Sequence, residues 1–221
     1  MIKLEHVTKR YGRSTVLNQI DLQINEPGIY CLLGRNGAGK TTFLKSIAGY
    51  QNITSGKIKV DGKIISTATL EPNVSYIENF AHHFDLPVGK LLQIASEVNP
   101  AYDRSLADDM MEHFELNRRK KFSQLSLGMK TMVSTIICLA SNRPVVLLDE
   151  PVLGFDALMR VEFYEMLTAS FQRHPRIIVV STHIIEEIAQ TIHKLMILDQ
   201  GRILFFDTLQ SVEKKPFASV D

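Results

Sequence analysis

One octet constrains this chain more than any other stretch: Gly34-Arg35-Asn36-Gly37-Ala38-Gly39-Lys40-Thr41. It is a complete G-x-x-x-x-G-K-[ST] phosphate loop. The apolar run Ile29 to Leu33 before it reads as a buried strand, and Thr42 to Ala48 after it reads as the first turns of an apolar helix. Glycines let successive backbone N–H groups close round phosphate oxygens, and a helix N-terminus adds a positive potential. In that setting Gly34, Asn36, Gly37, Ala38 and Gly39 line the cradle and Lys40 reaches the β- and γ-phosphates. Thr41 offers its hydroxyl to Mg²⁺, and Thr42 faces a phosphate further back.

Alternating residues in Ile2 to His6 and Leu17 to Ile24, parted by the turn-prone Tyr11-Gly12-Arg13-Ser14, predict an antiparallel β region before the loop. Lys57 to Ile65 reads as a hairpin centred on Asp61-Gly62, and Val74 to Ile77 as a short strand. A helical pattern runs from about Pro87 to Phe122, broken near Pro100, and a buried helix spans Gly128 to Ser141. Beyond Pro144 the order is strand (to Glu150), helix (Leu158 to Phe171), strand (Arg176 to Ser181), short helix (Ile184 to Thr191) and two closing strands (Leu195 to Leu198, Arg202 to Phe206). Strands alternating with helices predict a parallel sheet. The expected fold is therefore α/β: a P-loop NTPase core with a mixed β-sheet, an N-terminal antiparallel β subdomain, and a helical subdomain. A single domain covers 1–221, with 1–79 and 141–221 as core plus β subdomain and 80–140 helical.

The strand Val145 to Leu148 runs straight into Asp149-Glu150. In a P-loop ATPase an aspartate there holds Mg²⁺ and the next glutamate polarises the attacking water. Between the two motifs lies Leu125-Ser126-Leu127-Gly128-Met129-Lys130. With these residues in place the chain resembles the ATP-binding cassette (ABC) ATPases over essentially its whole length. Their signature is L-S-G-G-Q; here Leu127 and Met129 stand at its third and fifth places, a variant found in bacterial exporter-like branches of the family.

The resemblance implies that Ser126 and Gly128 contact ATP held by a second subunit and that Tyr11 stacks on adenine. It also implies that Asp156, in Leu153-Gly154-Phe155-Asp156, helps join the subunits, and that His183 bonds the γ-phosphate. Glu150, His183 and Lys40 are the catalytic candidates, and Thr41, Asp149 and Asn79 the metal candidates. Asn79 occupies the place of the family's usual glutamine, one methylene shorter, with Glu78 beside it as the alternative. Met132 stands where the family carries an arginine. ATP and Mg²⁺ are the implied cofactors. The implied partners are a second ATPase subunit, homomeric or heteromeric, and a separate integral-membrane permease, with Asn79 to Gln93 at its docking groove. Export of peptide, antibiotic or lipid is the first expectation and import the second. An ATP-driven factor in DNA repair or translation, or a module with impaired turnover, stands as the reading from another class.

Composition narrows the choices. A net charge of +1 supplies no global positive field, so no nucleic-acid partner is expected; the cluster Arg118-Arg119-Lys120-Lys121 reads as a solvated loop or helix end. Cys31 and Cys138 sit in apolar segments without a C-x-x-C spacing and read as small buried hydrophobes in a reducing compartment. His82-His83 lacks a third ligand at metal-binding spacing. No apolar run is long enough to span a bilayer and the N-terminus lacks a signal-peptide core, so a cytoplasmic protein held to the membrane by its permease is expected.

Overall fold

The computed structural model describes residues 1–66, 72–78 and 85–214. Two sheets organise them. Strands β1 (Ile2–Tyr11), β2 (Ser14–Ile24), β4 (Ser55–Val60) and β5 (Lys63–Ile64) form an antiparallel sheet in the order β2-β1-β4-β5. Its β4–β5 turn is Asp61-Gly62, both at positive φ (48° and 79°), the tight hairpin geometry that suits a strand pair's twist. The second sheet has the order β10-β9-β3-β8-β7-β6, with β3 (Gly28–Leu33), β6 (Val74–Ile77), β7 (Val145–Asp149), β8 (Ile177–Thr182), β9 (Lys194–Asp199) and β10 (Arg202–Asp207). All its neighbours run parallel except the terminal hairpin β9–β10.

The central strands are apolar on both faces because both faces are covered. Along β3, β7 and β8 alternate residues feed two cores. Tyr30, Leu32, Val145, Leu147, Ile177 and Val179 face the antiparallel sheet. Cys31, Val146, Leu148, Ile178 and Val180 face the helices. Helix α1 (Lys40–Ile47) lies in the first core with Phe43, Leu44 and Ile47 fully buried. Truncating Phe43 there costs about 3–5 kcal/mol. The helix closes on Gly49, at φ 76°, with Gly49 N–H on Ser46 C=O and Tyr50 N–H on Lys45 C=O.

Helices α2 (Val88–Val98), α3 (Arg104–His113), α4 (Leu127–Ala140) and α5 (Ala157–Arg173) cover the other face, and α6 (Leu209–Lys214) follows β10. One apolar cluster runs continuously from Val88, Met110 and Phe122 through α4 to Val146 and Ile178. Helix α4 spans the whole distance, and near its end the Cys138 thiol donates to Ser75 of β6. Burial pushes the Cys138 thiol up to about 11 and, with Glu150 adding to it and Lys40 opposing, the Cys31 thiol up to about 12. Both stay protonated and pack as small hydrophobes.

Two expectations change. The segment 184–191 is not a helix but a run of tight turns, Ile188 N–H to Ile185 C=O (3.1 Å) and Thr191 N–H to Ile188 C=O (2.9 Å), both spanning three residues. Its β-branched residues resist helix, Ile188 is anchored in the core, and Glu187 is drawn to Arg160. Helix α6 has no counterpart in the sequence reading. The basic cluster at 118–121 is spent locally, with Arg118 on Asp108 (2.7 Å) and Lys121 on Asp85 (2.8 Å).

Candidate nucleotide site

Parallel pairing brings the carboxyl ends of β3, β6, β7 and β8 to one edge of the sheet, where open α/β sheets bind ligands. The phosphate loop leaves β3 there. Gly39 is the N-cap of α1 at φ 106° and has no side chain to cap the first-turn N–H groups. Those donors, at the positive end of the helix dipole, point at whatever anion the loop receives. Exposed Asn36 and Gly37 (φ 84°) form the tip, and Ala38 N–H closes it on Arg35 C=O at 3.1 Å. A methyl group on Gly34 would lie 2.5 Å from Leu198 O, so only glycine fits that end of the loop. Half-buried Thr42 sits behind Thr41 in the first turn of the helix.

The loop's side chains meet those of β7 and β8. Lys40 Nζ donates to Gly34 C=O at 2.7 Å and pairs with Glu150 Oε1 at 3.2 Å. Glu150 Oε2 lies 3.1 Å from His183 Nδ1. The Thr41 hydroxyl donates to Asp149 Oδ2 at 2.6 Å. Asp149 is buried in the carboxyl end of its strand, whereas Glu150 leaves it at φ 50°, a left-handed backbone unusual for glutamate. Ser181, at the end of β8, supports both: its hydroxyl donates to Asp149 Oδ1 at 2.5 Å and accepts from Glu150 N–H at 3.0 Å. In the sequence Ser181 reads only as the close of an apolar strand. A groove of about 490 Å³ beside the loop is lined by Gly34, Arg35, His183, Leu198 and Leu204.

Ser126 and Gly128 lie at the start of α4. Ser126 is exposed and caps the helix, its hydroxyl accepting from Met129 N–H at 3.2 Å. Gly128 packs so closely on the next motif that a methyl group there would lie 2.7 Å from Gly154 O. Two residues on, Asp156 caps α5 by accepting from Met159 N–H at 2.9 Å. Tyr11 is half exposed at the end of β1, with Lys9 Nζ 4.8 Å from its ring centroid.

Residues 17–153 match the family model described as ABC transporter. The chain belongs to the ABC transporter family. It is 30% identical over 220 residues to the bacitracin transport ATP-binding protein BcrA of Enterococcus faecalis, covering 97% of this chain and 71% of that one. It is 27% identical over 219 residues to the lantibiotic transport ATP-binding protein SrtF of Streptococcus pyogenes, covering 97% and 95%. An importer component matches as well: the sulfate/thiosulfate import ATP-binding protein CysA of Nephroselmis olivacea, 29% identical over 97% of this chain and 65% of its own. The fold is shared with a solved ATP-binding subunit of an ABC transporter, with a TM-score of 0.84 at 22% identity over 97% of this chain and 92% of that chain.

As an ABC transporter ATPase the chain binds and hydrolyses ATP, with Mg²⁺ as the partner ion. Its own residues fit that pair of ligands. The loop offers N–H donors and Lys40 to phosphate, and the adjacent Thr41 hydroxyl and Asp149 carboxylate are the hard oxygens that Mg²⁺ takes. Among the described residues no cluster of three His, Cys, Asp or Glu side chains is placed to hold a metal alone. Asn79 and the pair His82-His83 lie outside the described residues. Glu78, the alternative to Asn79, turns to Lys45 (2.6 Å) and accepts the Tyr76 hydroxyl at 3.2 Å.

Proposed function

We propose that this ABC ATPase powers export through a separate membrane permease, with each nucleotide site shared between two ATPase subunits. The observation that carries the site assignment is the convergence of Lys40, Glu150 and His183 beside the Thr41–Asp149 pair. Tyr11 stacks on adenine, residues 34–39 and Thr42 cradle the phosphates, and Lys40 neutralises the β- and γ-phosphates. Mg²⁺, when bound, neutralises charge on the phosphate oxygens; Thr41 and Asp149 hold it, with Asn79 as a further ligand. Glu150 accepts the proton of the attacking water, and His183 bonds the γ-phosphate.

Ser126 and the Gly128 backbone complete the site of the other subunit from the positive end of α4, and Asp156 stands at the junction. The helical part, 80–140, hangs on a core made of 1–79 and 141–221. Export rests on the bacitracin and lantibiotic transport relatives and on the S-L-G-M form of the signature. No described helix is long and apolar enough to cross a membrane. A separate permease that holds this chain on the cytoplasmic face is supported by the relatives named as transport ATP-binding proteins.

The test is Mg²⁺-dependent ATP hydrolysis by the purified chain and its Glu150→Gln variant. The variant is expected to keep ATP, accumulate as an ATP-bound dimer and lose turnover about 10²–10³-fold. Unchanged steady-state hydrolysis in that variant would remove Glu150 as the base. Repeated purification from detergent extract without any integral-membrane protein would remove the transporter role.

A further inference from the structure

Thr41 and Lys45 are four residues apart on α1 and therefore on one face of it. Thr41 reaches Asp149 at the end of β7, and Lys45 Nζ reaches Glu78 Oε2, one residue past β6, at 2.6 Å. Strands β6 and β7 pair in parallel with Ile77 level with Leu148, which sets Glu78 level with Asp149. One face of the helix thus touches two adjacent strands, one turn apart, through two carboxylates.

The second contact is itself braced. Glu78 Oε2 accepts the Tyr76 hydroxyl, and the Tyr76 ring packs on Tyr50, just past the end of α1, with centroids 5.5 Å apart. The Lys45 and Glu78 side chains are only 26% and 20% exposed, so water screens the pair less than it would on an open surface.

We infer that Lys45 and Glu78 are positioning residues for the phosphate loop. Buried Phe43, Leu44 and Ile47 fix how α1 rolls; a helix whose first turn is tied to the sheet at one polar contact can still swivel about that contact, and a second tie one turn away removes that freedom. Swivel of α1 would re-aim Lys40 Nζ and the first-turn N–H groups, so the Lys45–Glu78 pair sets nucleotide affinity from outside the site. This rests on the nucleotide-site assignment above. It gives Glu78 a role through Lys45 in place of direct metal ligation.

The experiment is a double-mutant cycle on the purified chain, reading KM for ATP, kcat and the Mg²⁺ concentration for half-maximal hydrolysis, with thermal midpoints to confirm folding. Lys45→Met and Glu78→Gln are each expected to raise KM about tenfold with a smaller change in kcat. The double variant should be no worse than either single one, because the two side chains act as a unit. Lys45→Arg should restore most of the affinity, and the half-saturating Mg²⁺ should stay put throughout. Additive losses, or unchanged KM in folded single variants, overturn the inference. So does a rise in half-saturating Mg²⁺ for Glu78→Gln that Lys45→Met does not share, which would make Glu78 a metal ligand. Failure of the underlying assignment reads differently: wild type and Lys40→Ala would then bind ATP alike, whatever positions 45 and 78 carry.

Discussion

The hydroxyl of Thr41 donates to Oδ2 of Asp149 at 2.6 Å, joining the first turn of α1 to the carboxyl end of β7 across 108 residues of chain. The other carboxylate oxygen of Asp149 accepts from Ser181 on β8 at 2.5 Å. A buried carboxylate held from both sides keeps one orientation. In the site proposed for Mg²⁺, that holds the carboxylate oxygens in place before any substrate arrives.

Removing either partner of the first bond is expected to show in metal dependence. Asp149→Asn should lower kcat about 10²–10³-fold, the range for loss of a pre-organised charged group. Thr41→Val should raise the Mg²⁺ needed for half-maximal rate, whereas Thr41→Ser keeps the hydroxyl and most of the activity. Chelation with EDTA should abolish hydrolysis in the wild type. Titration of ATPase rate against Mg²⁺ checks all of this, and an Asp149→Asn chain with wild-type metal dependence would contradict it.

Ser181→Ala removes the donor to Asp149 and the acceptor of Glu150 N–H together. Two hydrogen bonds of this kind are worth about 1–3 kcal/mol. The loss should fall on kcat, by roughly tenfold, because Glu150 sits at a strained φ that the second bond supports. KM for ATP should change little, since the Ser181 hydroxyl bonds Asp149 and Glu150 and not the residues of the phosphate loop themselves. A variant whose KM rises while kcat holds would place Ser181 elsewhere in the mechanism.

Gly34 and Gly37 should fail for different reasons. A methyl on Gly34 meets a backbone carbonyl, Leu198 O, at 2.5 Å, and the strand behind it cannot yield cheaply. Gly34→Ala is expected to lose about 1–3 kcal/mol of stability and most nucleotide affinity. A methyl on Gly37 meets nothing within 4 Å, so Gly37→Ala costs only the left-handed backbone, about 1–2 kcal/mol. Denaturant unfolding of the two variants, with and without ATP, distinguishes steric from conformational cost.

Asp103 supplies a pH test away from the site. Burial pulls its carboxyl up, but the Leu106 N–H it accepts at the start of α3, His174 and Arg173 outweigh that and hold it below its ordinary value. A lowered carboxyl pKa in the folded state contributes stability that is present above the unfolded value, about 3.9. It is lost as pH falls through the folded value. Asp103→Asn, which keeps the cap, should cost about 1 kcal/mol at pH 7. The difference from wild type should shrink once pH drops below about 4. A difference that persists unchanged at acid pH would remove the charge from the explanation.

The pieces of the fold that could be read from the chain are those whose signal is local. The phosphate loop, the Asp61-Gly62 hairpin and the apolar runs of β3, β7 and β8 each declare themselves within a few residues, through glycine placement or continuous burial. Residues 184–191 show the limit of that. Ile184, Ile185 and Ile188 have helical spacing, but spacing reports which residues face the core, and three-residue turns present the same face as a helix. Asp156 reads from sequence as a residue of the subunit junction, while within the chain its carboxylate caps α5.

What the sequence alone determined was the inventory: a loop for phosphate, two acids ending a buried strand, a histidine beyond the next strand, and a cap-like signature before a long apolar helix. What tertiary structure decided was adjacency. Strand β8 lies between β3 and β7, and that order puts Ser181 against Asp149. The level pairing of β6 with β7 puts Glu78 beside Asp149 and within reach of Lys45. Strand order and register are set by which apolar faces bury together over a hundred residues of separation, a sum over many weak contacts that no single segment records.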